Sequence, residues 1–263
     1  MTNNKEKLLI SSSVLGTIED SAKFATELGT GIEISRIPLY KDKNLTADET
    51  IDYLKQQLRN YTGRLTMHAM FSDVNVGGGD CLLRELSQER CYQSFEIAKA
   101  IGADTLLFHT GNKGTKHYGS QSQFKERYIT FWKDFIKRFE DNGIVAVVEN
   151  VFEETPQYCI DLMNGINSDN YKLALDTGHA NLYAPNTNVI DWIHSYGKNL
   201  YHMHLHNNLH KNDDHSNFKN GTLDFKRILS EIKAMEINPT FVLEMFTKED
   251  IMISYNLFNE VMN

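Results

Sequence analysis

The sequence lacks the features that mark membrane-embedded, exported and dithiol proteins. It contains no run of about 18 consecutive apolar residues, so no membrane-spanning helix is expected. Its first ten residues, MTNNKEKLLI, contain no apolar core long enough for a secretion signal. The three cysteines form no CxxC pair, which is typical of reduced thiols inside the cell. We therefore expect a soluble, cytoplasmic protein without a membrane partner.

Positive charge is also scarce. The chain has 27 Lys and Arg residues against 35 Asp and Glu residues, a formal net charge of −8. This balance argues against broad, nonspecific attachment to nucleic acid, although it leaves room for a local basic groove. A hydrophobic content of 41% and a charged content of 24% are ordinary for a globular protein and exclude disorder or a coiled coil. Against this background the ten histidines are the feature that needs an explanation.

Eight short β-rich runs alternate with amphipathic helical patterns, and no Ser-, Pro- or Gly-rich linker interrupts them. The 263 residues give about 33 per unit, the size of one βα unit in a closed barrel. The alternative, an open doubly wound sheet, needs a GxGxxG turn after the first strand, which is absent. We therefore predict an α/β protein, a single-domain (β/α)8 TIM barrel over residues 1–263. The runs begin at Leu8, Gly31, Arg64, Thr105, Ile144, Lys172, Leu200 and Thr240.

Side chains that can bind metal follow the later predicted strands, where each strand ends. In a barrel the active site lies at this carboxyl end of the strands, so the side chains are expected to share one rim. Imidazole and carboxylate groups together suit a borderline divalent cation such as Zn, Mn or Co, whereas a set of oxygen ligands alone points to Mg or Ca. The residues are His68, His109, Glu149, Asp176, His179, His204 and Glu244, with Asp213 and His215 in the loop after the seventh strand.

Each of these residues also has an ordinary structural explanation. A lone histidine at a strand end is more often a hydrogen-bonded structural residue than a ligand. The carboxylates carry more weight, because Glu149, Asp176 and Glu244 each follow an apolar run and an ionised group there needs a cation or dense hydrogen bonding. A Lys or Arg partner is the alternative, but no basic residue occupies a strand end facing them. The pattern therefore favours a metal.

The other histidines are expected to be less central. His202, His204 and His206 alternate along the seventh strand and share one face, so one is expected to be a ligand while the others line the site. The remaining three lie in polar loop or helix contexts and are expected to be solvated: His117, His194 and His210.

With these residues in place, the chain resembles the xylose isomerase-like TIM-barrel superfamily. That superfamily contains sugar and sugar phosphate isomerases and epimerases, and also the endonuclease IV family of DNA repair enzymes. The motifs that carry the resemblance lie in order at successive strand ends. They are VVEN (Val147–Asn150), LDTGHA (Leu175–Ala180), HMHLHNN (His202–Asn208), DDHSNFKNGTLDF (Asp213–Phe225) and VLEM (Val242–Met245).

The isomerase and epimerase branch implies a metal held by Glu149, Asp176, His204 and Glu244. By the same resemblance, Glu149 and Glu244 also transfer the proton through a metal-stabilised enediolate, and His179 contacts a substrate hydroxyl. The implied cofactor is a divalent ion (Mn, Co, Mg or Zn), and the implied partner is a small sugar or sugar phosphate. A homo-oligomer is compatible with this class of protein. The Arg that these epimerases often carry after the strand-seven histidine is missing, which leaves the substrate open.

Two other functions stay open. An endonuclease IV-like zinc phosphodiesterase acting on abasic DNA would use nine ligands, and all nine of the residues given above match. Many isomerase-like relatives carry the additional ligands too, and the rim loops lack a basic cluster for phosphate contacts, so nucleic acid is not the expected partner. A lyase or dehydratase on the same barrel is the third possibility. A sugar phosphate would need only one phosphate contact, and the candidates for it are the basic residues nearest the rim: Arg36, Lys41, Lys43, Lys113 and Lys116.

Overall fold

The computed structural model of the chain describes residues 7–35, 37, 45–112 and 121–262. Strands and helices alternate along these ranges. The strands are β1 (Leu8–Ser11), β2 (Gly31–Ile34), β3 (Leu65–His68), β4 (Thr105–His109), β5 (Val145–Glu149), β6 (Tyr171–Asp176), β7 (Leu200–Leu205) and β8 (Thr240–Leu243). The helices are α1 (Ile18–Leu28), α2 (Ala47–Gln57), α3 (Cys81–Ile101), α4 (Gln121–Asn142), α5 (Gln157–Ile166), α6 (Thr177–Tyr183), α7 (Val189–Tyr196), α8 (Phe225–Ala234) and α9 (Lys248–Met262).

The eight strands form one closed parallel barrel in the order in which they occur in the chain. Strand β1 pairs with β2 on one side and with β8 on the other, which closes the sheet. The (β/α)8 TIM-barrel prediction is therefore confirmed. All carboxyl ends of the strands lie at one rim, which we call the barrel mouth.

The strands are shorter than the β-rich runs in the sequence. The run that begins at Lys172 extends through His179 in the sequence pattern, but β6 ends at Asp176 and His179 lies in the first turn of α6. Glu244 is the residue directly after β8. His179 and Glu244 therefore lie just beyond the ends of their strands, but both remain at the barrel mouth.

Local sequence signals set several helix ends. Thr46 and Glu49 form a capping box at the start of α2, in which each side chain accepts a hydrogen bond from the other residue's backbone. Gly29 and Gly102 end α1 and α3 in the left-handed conformation, which glycine adopts without steric cost.

The main hydrophobic core lies between the barrel and its surrounding helices. The stripe Phe131, Phe135 and Phe139 of α4 is buried, and Trp132 packs edge-on against Phe108 of β4 with ring centroids 4.9 Å apart. Inside the barrel, Leu107, Val147 and Ala174 pack together two residues before His109, Glu149 and Asp176. Because side chains alternate along a strand, this apolar layer lies directly beneath the polar rim. No helix in the described ranges is long and apolar enough to cross a membrane.

Candidate metal centre at the barrel mouth

The structure brings all nine residues predicted as ligands to the barrel mouth. His204 lies at the centre of the group. Its Nδ1 atom is 2.6 Å from Oε1 of Glu149, 3.0 Å from Oε2 of Glu244 and 3.8 Å from Oδ2 of Asp176. The carboxylates of β5, of β6 and of the residue after β8 therefore all lie near one nitrogen of β7, and one ligand atom each of Glu149, Asp176 and His204 lies within 4.8 Å of the other two. We call Glu149, Asp176, His204 and Glu244 the central group.

A second group adjoins Glu149 on the side of β3 and β4. Nε2 of His109 is 2.9 Å from Oε2 of Glu149, the carboxylate oxygen that does not face His204. Nε2 of His68 is 3.1 Å from Nε2 of His109 and 4.0 Å from Oε2 of Glu149. We call His68, His109 and Glu149 the β3–β5 group, and Glu149 belongs to both this group and the central group.

A third group lies on the other side of the centre, beneath the loop that follows β7. Oδ2 of Asp213 is 3.3 Å from Nε2 of His179 and 3.2 Å from Nε2 of His215. His206 completes the group, because its Nε2 is 3.0 Å from Oδ2 of Asp176 and 3.9 Å from Oδ1 of Asp213. We call His179, His206, Asp213 and His215 the β7-loop group.

Backbone contacts fix Asp176 and His179. Asp176 is the N-cap of α6, and its Oδ1 accepts a hydrogen bond of 2.6 Å from the backbone N–H of His179. The side chain of Asn150 bonds both backbone groups of Asp176, at 2.8 and 3.1 Å. The predicted ligand Asp176 is thus also the N-cap of α6. This geometry explains why Asp176 and His179 occur three residues apart in the LDTGHA segment.

Charges within the site hold the carboxylates ionised. Burial alone would raise the pKa of Glu149, but the charge of the His204 imidazolium and the neighbouring His109 imidazole hold it well below its usual value. Burial also opposes ionisation of Glu244, and the neighbouring His204 and His215 nevertheless lower its pKa to about 2. Both groups are therefore carboxylates at neutral pH.

The histidines fall into two classes. Burial and the neighbouring His109 lower the pKa of His68 to about 4, so His68 is neutral at pH 7. Burial would also lower the pKa of His179 and His215, but nearby carboxylates reverse the effect: Asp176 raises the pKa of His179 to about 10, and Glu244 raises that of His215 to about 9. In the absence of a cation, the β7-loop group is therefore held together by protonated imidazoles.

The strongest structural indication of a cation site is at Glu149. Both oxygens of Glu149 are buried and lack an aligned hydrogen bond, although imidazole nitrogens lie 2.9 and 2.6 Å away. Nitrogen and oxygen atoms that lie close together without forming a hydrogen bond are expected when both are ligands of the same metal ion. Within the described ranges, every ion-pair contact of Glu149, Asp176 and Glu244 is with a histidine. These residues could hold a divalent cation with mixed nitrogen and oxygen ligands.

Two contributors were not predicted as ligands from the sequence. His206 was expected only to line the site, and its alternation with His204 was the available signal. Glu33 in β2 is fully buried, and its Oε1 is 2.7 Å from Nε2 of His204. A sequence motif cannot show that β2 and β7 side chains meet inside the barrel.

Two of the three histidines that were expected to be solvated lie within the described residues. His194 and His210 are exposed, and they bond Glu231 and the carbonyl of Asn181 respectively. His117 and the five candidate phosphate contacts from Arg36 to Lys116 lie outside the described residues.

Aromatic rings flank the polar site at the mouth. Phe71 lies 4.8 Å from both His68 and His109, and Phe246 lies 4.6 Å from His215, measured between ring centroids. Both phenylalanines are more than two-fifths exposed. They give the mouth apolar walls around its polar floor.

The comparisons with known proteins agree with the fold. A family model described as "Xylose isomerase-like TIM barrel" matches residues 22–258, and the chain belongs to this family. Two proteins of Methanocaldococcus jannaschii are related in sequence. MJ1311 is 23% identical over 81% of this chain and 74% of its own length, and MJ1614 is 22% identical over 78% of each.

Three solved structures illustrate the shared fold. A D-tagatose 3-epimerase-like protein superposes with a TM-score of 0.79 at 22% identity, over 97% of both chains. The TTHB071 protein from Thermus thermophilus, studied after soaking with ZnCl2, gives 0.76 at 21% identity over 97% of this chain and 96% of its own. A D-psicose 3-epimerase in the presence of D-fructose gives 0.77 at 14% identity over 97% and 99%.

Proposed function

We propose that this protein is a metal-dependent sugar isomerase or epimerase that moves a proton at the carbon beside a carbonyl. The observation that carries the proposal is the convergence of Glu149 and Glu244 on Nδ1 of His204, at 2.6 and 3.0 Å. Asp176 completes the four donors. The epimerase activities named for the related structures support the same class of substrate.

In this proposal the central group holds the catalytic cation. When bound, a divalent ion would polarise the carbonyl and the neighbouring hydroxyl of a sugar and stabilise negative charge on their oxygens. The β3–β5 and β7-loop groups are proposed to hold further cations more weakly. The zinc-soaked Thermus thermophilus structure is compatible with zinc as one candidate among Zn, Mn, Co and Mg.

Glu149 and Glu244 are the proposed proton-transfer residues. Each is ionised at neutral pH and can accept the proton when the carbon–hydrogen bond breaks. The electron pair moves toward the carbonyl, and return of a proton to the opposite face inverts the carbon. Strands β5 and β8 are three positions apart in the barrel, so the two carboxylates can approach a small substrate from different sides.

His179 is the proposed contact for a substrate hydroxyl. Its Nδ1 lies within hydrogen-bond distance of the carbonyl of Asn150, at 3.1 Å, and its Nε2 faces Asp213 at the mouth. The walls formed by Phe71 and Phe246 suit the apolar C–H face of a sugar ring or chain. The candidate phosphate contacts lie outside the described part of the chain, so the test below includes phosphorylated sugars.

Solvent exchange tests the proposal directly. The protein, loaded in turn with Mn²⁺, Co²⁺, Mg²⁺ and Zn²⁺, is incubated in deuterated water with D-psicose, D-tagatose, D-fructose, L-ribulose and their phosphates. We expect loss of one carbon-bound proton signal of the ketose in the NMR spectrum: at C3 for an epimerase, and at C1 for an isomerase. No exchange with any sugar, together with nicking of an abasic DNA duplex, would replace the proposal by the nuclease alternative.

Two variants make the exchange result specific. Glu149→Gln should abolish exchange, because an amide neither takes up the proton nor binds the cation as a carboxylate does. Glu96→Gln is the matched control, since Glu96 is exposed on α3 and pairs with Arg138 far from the mouth. Equal exchange rates in the two variants would contradict the assignment of Glu149.

A further inference from the structure

Glu33 lies inside the barrel behind the central group. It is in register with Ser11 of β1 and Thr66 of β3, and it is fully buried. Its Oε1 forms a hydrogen bond of 2.7 Å with Nε2 of His204. Glu33 therefore contacts the ring nitrogen of His204 that faces away from Glu149 and Glu244.

This contact fixes which nitrogen of His204 can bind a cation. An ionised carboxylate only accepts hydrogen bonds, so Nε2 of His204 must carry the proton. In the neutral ring the lone pair is then on Nδ1, the atom that faces Glu149, Glu244 and Asp176. The same contact holds the plane of the ring, because β2 and β7 are both parts of the closed sheet.

Glu33 is itself held from behind. The hydroxyl of Thr66 donates to its Oε2 at 2.9 Å, and Nε2 of His202 lies 3.0 Å from the same oxygen. Thr66 and His202 are fully buried as well. Because both oxygens of this buried carboxylate have fixed partners, the carboxylate has a single orientation. Its hydrogen bond to Nε2 therefore also fixes the orientation of the His204 ring.

We propose that Glu33 is a positioning residue that orients His204 and increases its basicity toward the cation of the central group. This inference rests on the proposed function. Partners of this kind behind a ligand imidazole typically change metal affinity by about 10–100-fold. A cation bound by Glu33, His202 and His204 inside the barrel is the competing arrangement, and the experiment below distinguishes it.

The test measures zinc and cobalt binding by Glu33→Gln in the full-length protein. Gln has nearly the same shape and can still accept the bond from His204, but it removes the negative charge. We expect the dissociation constant for the first Zn²⁺, measured by chelator competition, to rise about 10–100-fold with unchanged stoichiometry. The visible spectrum of bound Co²⁺ should also change, because losing the charge beside His204 alters the ligand field that this imidazole exerts on the metal.

Glu153→Gln is the matched control. Glu153 is also a buried glutamate, but its contacts are the hydroxyl of Thr110 and the backbone N–H of Val151. We expect its Zn²⁺ affinity and Co²⁺ spectrum to match those of the wild type. A rise in the dissociation constant for Glu153→Gln equal to that for Glu33→Gln would overturn the inference, because any buried charge would then have the same effect.

Other outcomes also decide the question. Unchanged affinity and spectrum in a folded Glu33→Gln protein would overturn the inference while the proposed function stands, and so would loss of one whole zinc equivalent. A wild-type protein that binds no divalent cation would overturn both. If Glu33→Gln does not fold, Thr66→Val removes a hydrogen bond from Glu33 without touching His204. An intermediate weakening of zinc binding is then expected, and unchanged affinity would overturn the inference.

Discussion

Gly178 packs directly against the imidazole ring of His206. A Cβ atom at position 178 would overlap Cε1 of that ring. His206 cannot move aside, because it is fully buried, bonds Asp176 at 3.0 Å and stacks on His215 with centroids 3.9 Å apart. The glycine in the LDTGHA segment is therefore required by the close approach of α6 to β7.

We expect Gly178→Ala to destabilise the protein by about 1–3 kcal/mol, the usual cost of overpacking a core. At a solvent-exposed helix position, the same change would stabilise the protein by up to about 1 kcal/mol. A destabilising effect would therefore indicate a steric clash with His206. Urea unfolding of the metal-free protein measures the difference. Gly16→Ala is the control, because no atom lies within 4 Å of a Cβ built there. A neutral or stabilising effect at position 178 would show that His206 can relocate.

Asp176→Asn should remove the cation of the central group and leave the fold intact. Asn is a good N-cap, so the hydrogen bond from the backbone of His179 can be kept while the negative charge is lost. The loss of affinity should exceed the roughly 10–100-fold effect typical of an outer partner. Metal content after dialysis is the measurement, with Asp161→Asn, which loses a surface pair with Lys125, as control. Full metal retention in the Asp176 variant would be incompatible with its assignment.

Cation binding by the β7-loop group should strengthen with pH well beyond neutrality. The pKa values of His215 and His179 in the metal-free protein are about 9 and about 10, so both are protonated at pH 7 and a cation must displace these protons. Each displaced proton makes the affinity rise about tenfold per pH unit below its pKa. Zinc titrations from pH 6 to 10 test this, and an affinity that levels off near pH 6.5 would contradict it.

The β3–β5 group should behave differently. His68 has a pKa of about 4 and is already neutral at pH 7, so it adds no pH dependence above about pH 5. We expect His68→Ala to remove one weakly bound zinc equivalent and to leave the first, tight equivalent in place. Isothermal titration provides both stoichiometry and affinity, with the exposed His194→Ala as control. Loss of the tight equivalent in the His68 variant would show that the two groups act as one site.

Much of this molecule could be predicted without its structure. The alternation of β-rich and helical segments predicted the barrel, because side-chain period and element length are local properties of the chain. The carboxylates after apolar runs at Glu149, Asp176 and Glu244 predicted the rim, since the carboxyl ends of parallel strands meet at one edge. The assignment of these residues as ligands stays a prediction until a cation is measured.

The features that could not be predicted from the sequence also have a physical reason. The chain by itself determined which residue types reach the barrel mouth, because strand order and the period of two decide where each side chain points. Only the tertiary structure decided how they are shared: Glu149 between two groups, His206 beside Asp176, and Glu33 behind His204. Those relationships join strands far apart in sequence, and distances of about 3 Å across a closed barrel depend on register and packing that no local pattern contains.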